Sequence, residues 1–281
     1  MQYTARRPTP PLDRYVECFW ALEGEGSPGS VERVLPDGCV EWILHVGDPW
    51  SRLVEEPSGA LRREMQPRAF VVGQLSRYLL LEPGRRVHTF AVRFRPAGAA
   101  LLTDGGVDAL TNRQERIENV LGAAGGELNE RLLLAADDTA RQRLVEAFLL
   151  ARLNHLEEDL RVGAVIEAIL RDAAGANVAR LADAVGLSPR QLERRFASRV
   201  GISPKAFART IRFQSLFRML GDEAGQRFAD LALAAGYFDQ AHLSRDFREL
   251  SGQAPRQLLA AQGEVSSHFT SAERLADLFG V

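Results

Sequence analysis

Between Asn177 and Gln262 the apolar positions form a pattern that occurs twice. Val178, Leu181, Ala182 and Val185 recur at the spacing of one helical face. Gly186 then interrupts, and Leu192, Phe196 and Val200 make a second stripe that stops at Gly201. The same order returns as Leu231, Ala232 and Ala235, then Gly236, then Leu243, Phe247 and Leu250, closed by Gly252, with one residue inserted at the turn. Asn177, Ser188 and Asp239 stand where helix N-caps are needed, and Pro189 occupies a first helical position, where a missing N–H does no harm. Each copy therefore predicts two helices about a glycine turn. Two copies are too few for a solenoid, which needs about three to bury a continuous core. Between them Ser203 and Pro204 start a further helix carrying Phe207, Ile211, Leu216, Phe217 and Leu220. At about eighteen residues it spans roughly 27 Å, of the order of the ~34 Å between successive major grooves of DNA.

Upstream the pattern shortens to strand length. Tyr15–Leu22, Val31–Leu35, Cys39–Val46, Ala69–Val72, Tyr78–Leu81 and Val87–Phe94 are rich in β-branched and aromatic residues and separated by turn signals. Pro36-Asp37-Gly38 and Pro83-Gly84 are the clearest of those turns, and the first makes Val31–Leu35 and Cys39–Val46 read as a hairpin. Leu53–Met65 reads as another hairpin with its tip at Pro57-Ser58-Gly59. Such a run predicts an antiparallel barrel or sandwich. After Pro96 the period becomes helical: a short Ala97–Leu102, then Arg113–Leu121 and Glu127–Ala135 split by Gly122–Gly126, then Thr139–Arg152 with Leu144, Val145, Phe148 and Leu149 on one face. Asn154–Asp159 is polar and acidic, a linker, and Val162, Val165, Ile166, Ile169 and Leu170 open the next helix. The expected class is α+β with two domains. Residues 1–153 form an N-terminal β-domain with trailing helices, 154–160 the linker, 161–262 an all-α domain, and 263–281 a tail with a short helix at Ser271–Leu278.

Polar residues on the outer faces suggest what the helical half does. The helix after Ser188 turns Arg190, Gln191, Glu193 and Arg194 away from its apolar stripe; the helix after Asp239 does the same with Gln240, His242, Ser244 and Arg245. Arginine can bond guanine bidentately, glutamine adenine, and glutamate can accept from the cytosine amino group. Lys205, Arg209, Arg212 and Arg218 place cations along the connecting helix, where phosphates would position the protein without reading sequence. Charge is distributed to match. The net charge is −2, but residues 1–160 carry 19 arginines against 24 acidic residues, and residues 161–262 carry 15 basic against 10 acidic. The excess of cations lies in the half that would meet a polyanion.

The stretches LADAVGLSPRQLERRF, GISPKAFARTIRFQSLFRML and ALAAGYFDQAHLSRDFRELSGQAPRQL resemble the DNA-binding domain of the AraC/XylS family of bacterial transcription regulators, over roughly Leu160 to Gln262. The resemblance implies two helix-turn-helix subdomains joined by one long helix, with both recognition helices in successive major-groove segments of double-stranded operator DNA. Its base-reading positions fall on Arg190, Glu193 and Arg194, and on Gln240, His242 and Arg245. Glu193, acidic where DNA must approach, either reads a cytosine or faces away. ERVLPDGCVEWILHVGD and GRRVHTFAVRFRPAGAALLT resemble the N-terminal domains of one branch of that family, which implies a cupin-like β-barrel. In the family the helices between the domains often carry dimerisation. The alternative is that Leu144 to Leu153 packs on the barrel of its own subunit. RNA polymerase is a further candidate partner.

A barrel mouth can hold a ligand, and Trp20, Glu41, Trp42, His45, His88 and Arg93 are the candidate lining for a small-molecule effector. Glu41 and His45, four apart in a strand, share a face. A metal-dependent cupin enzyme fused to the DNA-binding domain is the second reading, and a pure dimerisation module the third. The first of these needs clustered histidines, whereas His45 and His88 lie far apart and without H-x-H spacing. No catalytic residue, metal or cofactor is assigned. Cys18 and Cys39 lack metal-finger spacing and are expected to pack as small apolar residues, and they cannot form the cysteine cluster of a methyl-accepting repair protein. With no leader and no run of ~18–20 apolar residues, a cytoplasmic protein without membrane contact is expected.

Overall fold

The computed structural model describes residues 1–27, 29–103, 106–222, 235–237, 239–254 and 257–258, with residues 217–222 described through their backbone. Among the described residues the N-terminal half contains ten strands: β1 Gln2–Arg6, β2 Val16–Glu25, β3 Glu32–Val34, β4 Val40–His45, β5 Ser51–Glu55, β6 Leu61–Met65, β7 Ala69–Val72, β8 Leu79–Glu82, β9 Arg86–Phe94 and β10 Gln114–Arg116. They pair antiparallel into a six-stranded sheet, β1-β2-β9-β4-β7-β10, and a four-stranded sheet, β3-β8-β5-β6. The two sheets share no strand, so the barrel-or-sandwich expectation resolves as two facing sheets that are not closed. The hairpin over Leu53–Met65 is β5 and β6, but the one expected from Val31–Leu35 and Cys39–Val46 does not form, since the chain crosses at Pro36-Asp37-Gly38 from one sheet (β3) to the other (β4), and β1 and β10 were not expected as strands. Both are edge strands with few buried residues, so alternation leaves little mark on them.

Alternation along the strands sets two opposite faces. On β4, Val40, Trp42 and Leu44 join Phe19, Val71, Phe90, Val92 and Phe94 in a core beneath the helices. That core is covered by α1 (Ile117–Leu134) and α2 (Asp138–Leu153). The backbone of α1 is non-helical at Gly122, the glycine where a break between two helices was expected. Val145 and Leu149 of α2 are fully buried in this core, and Phe148 meets Trp42 edge-on at 6.3 Å. The apolar face of α2 therefore packs on its own subunit, the second of the two expectations for it.

The C-terminal half is helical: α3 Leu160–Arg171, α4 Val178–Ala184, α5 Pro189–Val200, α6 Pro204–Asp222 and α7 Gln240–Ser251. The expected caps form. The Asn177 side chain accepts from the N–H groups of Ala179 and Arg180, Ser188 and Gln191 close a reciprocal capping box, Ser203 accepts from Ala206 and Asp239 from His242. Each such cap is worth about 1 kcal/mol against alanine. Gly201 and Gly252 end α5 and α7 at φ +101° and +74°, a left-handed conformation that side chains with a Cβ adopt at a cost. Leu192, Phe196 and Val200 pack with Val162, Val165 and Ile169 of α3 and with Phe207 and Ile211 of α6. Leu243, Phe247 and Leu250 of α7 pack with Phe213 and Leu216 of α6. At 19 residues, roughly 28 Å, α6 belongs to both cores. Leu231, Ala232, the Ser271–Leu278 helix and the side chains of Phe217 and Leu220 lie outside what is described.

The two halves interlock through one loop. Leu35, at the end of the chain from β3, enters the core around α7, while Cys39, four residues on, enters the core around α5. Between them Pro36 and Gly38 offer backbone carbonyls to Gln214 (2.6 Å) and Gln74 (2.8 Å). The N-terminal half also touches both C-caps: the Thr111 hydroxyl donates to the Gly201 carbonyl, and Arg33 donates to the Ser251 carbonyl at 2.6 Å.

Candidate nucleic-acid interface and the cavity behind it

The capping box at Ser188 fixes the start of α5, and the burial of Leu192 and Phe196 fixes its rotation. Arg190, Glu193 and Arg194 are consequently exposed. The same logic on α7 leaves Gln240 and Arg245 exposed. His242 is half-buried, edge-on to Tyr237 at 5.2 Å and 3.9 Å from the Asp246 carboxylate. Each helix thus presents donors and acceptors along its N-terminal turns, the part that approaches base edges when a recognition helix lies in a major groove.

The connecting helix departs from expectation. Lys205 is exposed, as a phosphate contact requires. Arg209 and Arg212, expected to face phosphates, turn instead toward α7. The Arg209 Nε donates to Asp246 at 2.9 Å and its Nη2 to Glu249, while Arg212 lies 3.6 Å from Asp246 and stacks over the Tyr237 ring at 5.0 Å. Asp246 is 4% exposed, and a buried carboxylate is tolerated only with such partners. The reason for the correction is spatial. The second unit packs against α6 on the side these arginines occupy, so they hold the two helices together. The signal was in the spacing: Arg209 and Arg212 are three apart on α6, as are Asp246 and Glu249 on α7, and Asp246 sits within the apolar stripe Leu243–Phe247–Leu250. The side chain of Arg218 lies outside what is described.

Behind this joint, between the two sheets, lies a cavity of about 70 Å³. Of the expected lining, Trp20, Glu41 and His45 face it, together with Asp37, Cys39, Trp50, Gln66 and a set of Leu, Ile and Val side chains. Arg93 sits behind its polar wall, 1% exposed, donating to Glu17 (3.1 Å), Glu41 (2.8 Å) and Asp37 (2.7 Å). Three carboxylates thus converge on one guanidinium. Burial raises Asp37 and Glu41 above the ordinary carboxylate range while Arg93 pulls them down. The Glu41 Oε1 also accepts from the Trp20 indole at 3.1 Å. His45 is 2% exposed and pushed down to about 4 by burial, hence neutral near pH 7. Its Nε2 donates to the Gln66 carbonyl oxygen at 3.1 Å, and its Nδ1 accepts from the Thr89 hydroxyl at 3.2 Å.

Trp42 and His88 do not join the cavity, because strand alternation sends both to the opposite face. Trp42 is buried under α2. His88 meets Asp138 at 3.2 Å and Glu23 at 3.5 Å, donors close enough together to hold a cation, although Asp138 is also bonded to Arg141 at 2.8 Å. His45 and His88 are therefore not brought into one site. Trp50 and Asp37 were missed as lining residues: Trp50 follows a turn, and Asp37 was read only as part of one. The cysteines are free thiols, Cys39 buried and Cys18 half-buried.

Comparison with known proteins bears on each half. Residues 181–261 match the family model described as a helix-turn-helix domain. The HTH-type transcriptional regulator MtrA of Neisseria gonorrhoeae is 29% identical over 108 residues, 38% of this chain and 36% of its own length. Residues 181–261 are a helix-turn-helix domain. The chain thus spans about a third of that curated relative. Residues 4–116 match a model described as a domain of unknown function (DUF6597). Among solved structures, ToxT from Vibrio cholerae O395 aligns with TM-score 0.44 and 12% identity, over 94% of this chain and 99% of that one. ToxT from Vibrio cholerae in its P21 form aligns with TM-score 0.45 and 10% identity, over 86% and 98%. Among the described residues no helix of either half is long and apolar enough to cross a membrane.

Proposed function

We propose that the chain is a sequence-specific transcription regulator, that α5 and α7 read adjacent major-groove segments of an operator, and that the N-terminal domain adjusts how they are presented. The observation that carries this reading is the pair of capped helices in the AraC-type domain, each exposing polar side chains on its N-terminal turns. Arg190, Glu193 and Arg194 on α5, and Gln240, His242 and Arg245 on α7, form the base-reading set, and Lys205 contacts phosphate. Arg209 and Arg212 leave that role and become the joint between α6 and α7. Residues 1–153 are then the regulatory domain, 154–160 the linker and 161–262 the reading domain. A protein acting on chromosomal DNA belongs in the cytoplasm. An RNA polymerase contact and a homodimer remain within this reading as proposals.

Regulation by the N-terminal domain is supported by the loop from Leu35 to Cys39. Its Asp37 and Cys39 line the cavity, while Leu35 and Cys39 are part of the two helix-turn-helix cores. Burying a leucine contributes about 1.5–3 kcal/mol, so displacing this loop changes the packing of both reading units. A ligand acts on DNA binding only as far as it distinguishes two positions of that loop. The test is selection of binding sites from random duplexes. Two half-reads about ~10 base pairs apart, each altered by substitution in one helix alone, are the expected result; no preference among duplexes at physiological salt refutes the reading.

A further inference from the structure

We propose that the cavity between the sheets binds a small ammonium compound that also carries a hydrogen-bond acceptor, such as a short amino alcohol. The proposal deepens the regulatory reading by naming the chemical class of the ligand.

Charge decides the class. Glu17, Asp37 and Glu41 surround Arg93 at 2.7–3.1 Å, and Asp37 and Glu41 face the cavity. An anionic ligand would bring further negative charge against this carboxylate-rich wall, in a setting where burial strengthens repulsion. An ammonium ion brings the wall closer to balance and lets Asp37 and Glu41 ionise together. His45, held neutral by burial, contributes no competing cation. The indoles of Trp20 and Trp50 flank the same space and can add cation–π attraction.

A second observation points independently to a ligand. Trp50 is 4% exposed and lines the cavity, yet its indole N–H has no partner among the described residues; the same holds for the amide nitrogen of Gln114. A buried donor without an acceptor costs about 1–3 kcal/mol, so an oxygen brought in by the ligand satisfies a need the protein leaves open. Size sets the upper limit. A cavity of ~150 Å³ holds the six carbons of benzene, and this one is about 70 Å³, which limits the ligand to about three or four non-hydrogen atoms, its methylene groups against Leu79, Leu81 and Ile43.

The test uses the full chain and four near-isosteric probes of four non-hydrogen atoms each: 2-aminoethanol, propylamine, ethylene glycol and acetate. Binding is followed by the fluorescence of Trp20 and Trp50 and by the melting temperature. The amino alcohol is expected to bind best, propylamine about tenfold more weakly for want of the acceptor, the uncharged diol more weakly again, and acetate not at all. Glu41→Gln should abolish the preference for amine over diol, with Asp37→Asn as the alternative where circular dichroism shows the first to be misfolded. Trp50→Phe should abolish the preference for the amino alcohol over propylamine. Acetate or diol binding as tightly as the amines overturns the proposal, as does silence across the whole series. Affinity of the unliganded protein for a selected duplex is measured separately. Loss of that affinity sinks the regulator reading and leaves the cavity result standing, whereas loss of amine binding alone sinks only the ligand class.

Discussion

If the loop at Gly38 is the mechanical link between the cavity and the reading helices, adding one methyl group there should loosen it. Gly38 has φ +83°, and a Cβ at this position would lie 2.9 Å from Phe207 and 3.3 Å from Ile211, both on α6. Gly38→Ala therefore combines two penalties. The left-handed backbone costs an L-residue about 1–2 kcal/mol. Overpacking against α6 adds about 1–3 kcal/mol, and the rim of an aromatic ring inside a shared core cannot move away freely. A control isolates the second effect: Gly59, at the β5–β6 tip, has φ +80° and nothing within 4 Å of its would-be Cβ. Gly59→Ala should therefore cost only the ~1–2 kcal/mol of backbone strain, and the difference between the two variants measures the contact with α6. Urea unfolding followed by tryptophan fluorescence is suitable, since Trp20, Trp42 and Trp50 all lie in the N-terminal half. Gly38→Ala should also increase hydrogen exchange at α6 amides and change duplex affinity, and Gly59→Ala should do neither. Equal destabilisation by the two substitutions, with α6 exchange unchanged, would refute the idea that this loop bears on the connecting helix.

Arg194→Ala and Arg245→Ala should each cost about 1–3 kcal/mol in operator binding and relax preference at one base position; unchanged affinity and specificity in a binding-site selection removes the residue from the reading set. Arg212→Ala should lower the stability of the α6–α7 joint by about 1–3 kcal/mol and leave the salt slope of DNA binding as it was, whereas a slope reduced by about one unit would return this arginine to the phosphate contacts. His45 has a folded pKa of about 4 against an ordinary 6.5. Between those values the unfolded chain binds a proton that the folded chain excludes, so stability should fall as pH drops from 6.5 toward 4, by on the order of 3 kcal/mol in total. Urea melts at pH 7 and pH 5 check this, and His45→Gln should flatten the difference.

The amino-acid sequence by itself determined the local structure and the outward faces of the reading helices. Apolar spacing, caps at Asn177, Ser188 and Asp239, and glycine stops are short-range effects, and the exposed positions of α5 and α7 follow once Leu192, Phe196, Leu243 and Phe247 are buried. Strand alternation carried equally far, since it places Glu41 and His45 on one face and, read through, separates Trp42 from Glu41 and His88 from Arg93. Tertiary structure decided what α6 does with its arginines. That helix is contacted by two helix-turn-helix units and by the N-terminal loop, so around Arg209 and Arg212 its periodicity does not tell a phosphate contact from an internal ion pair. Tertiary structure also made the cavity wall. Glu17, Asp37, Glu41 and Arg93 come from three strands and a turn, and only the pairing of β2 with β9 and of β4 with β9 brings their charges within bonding distance.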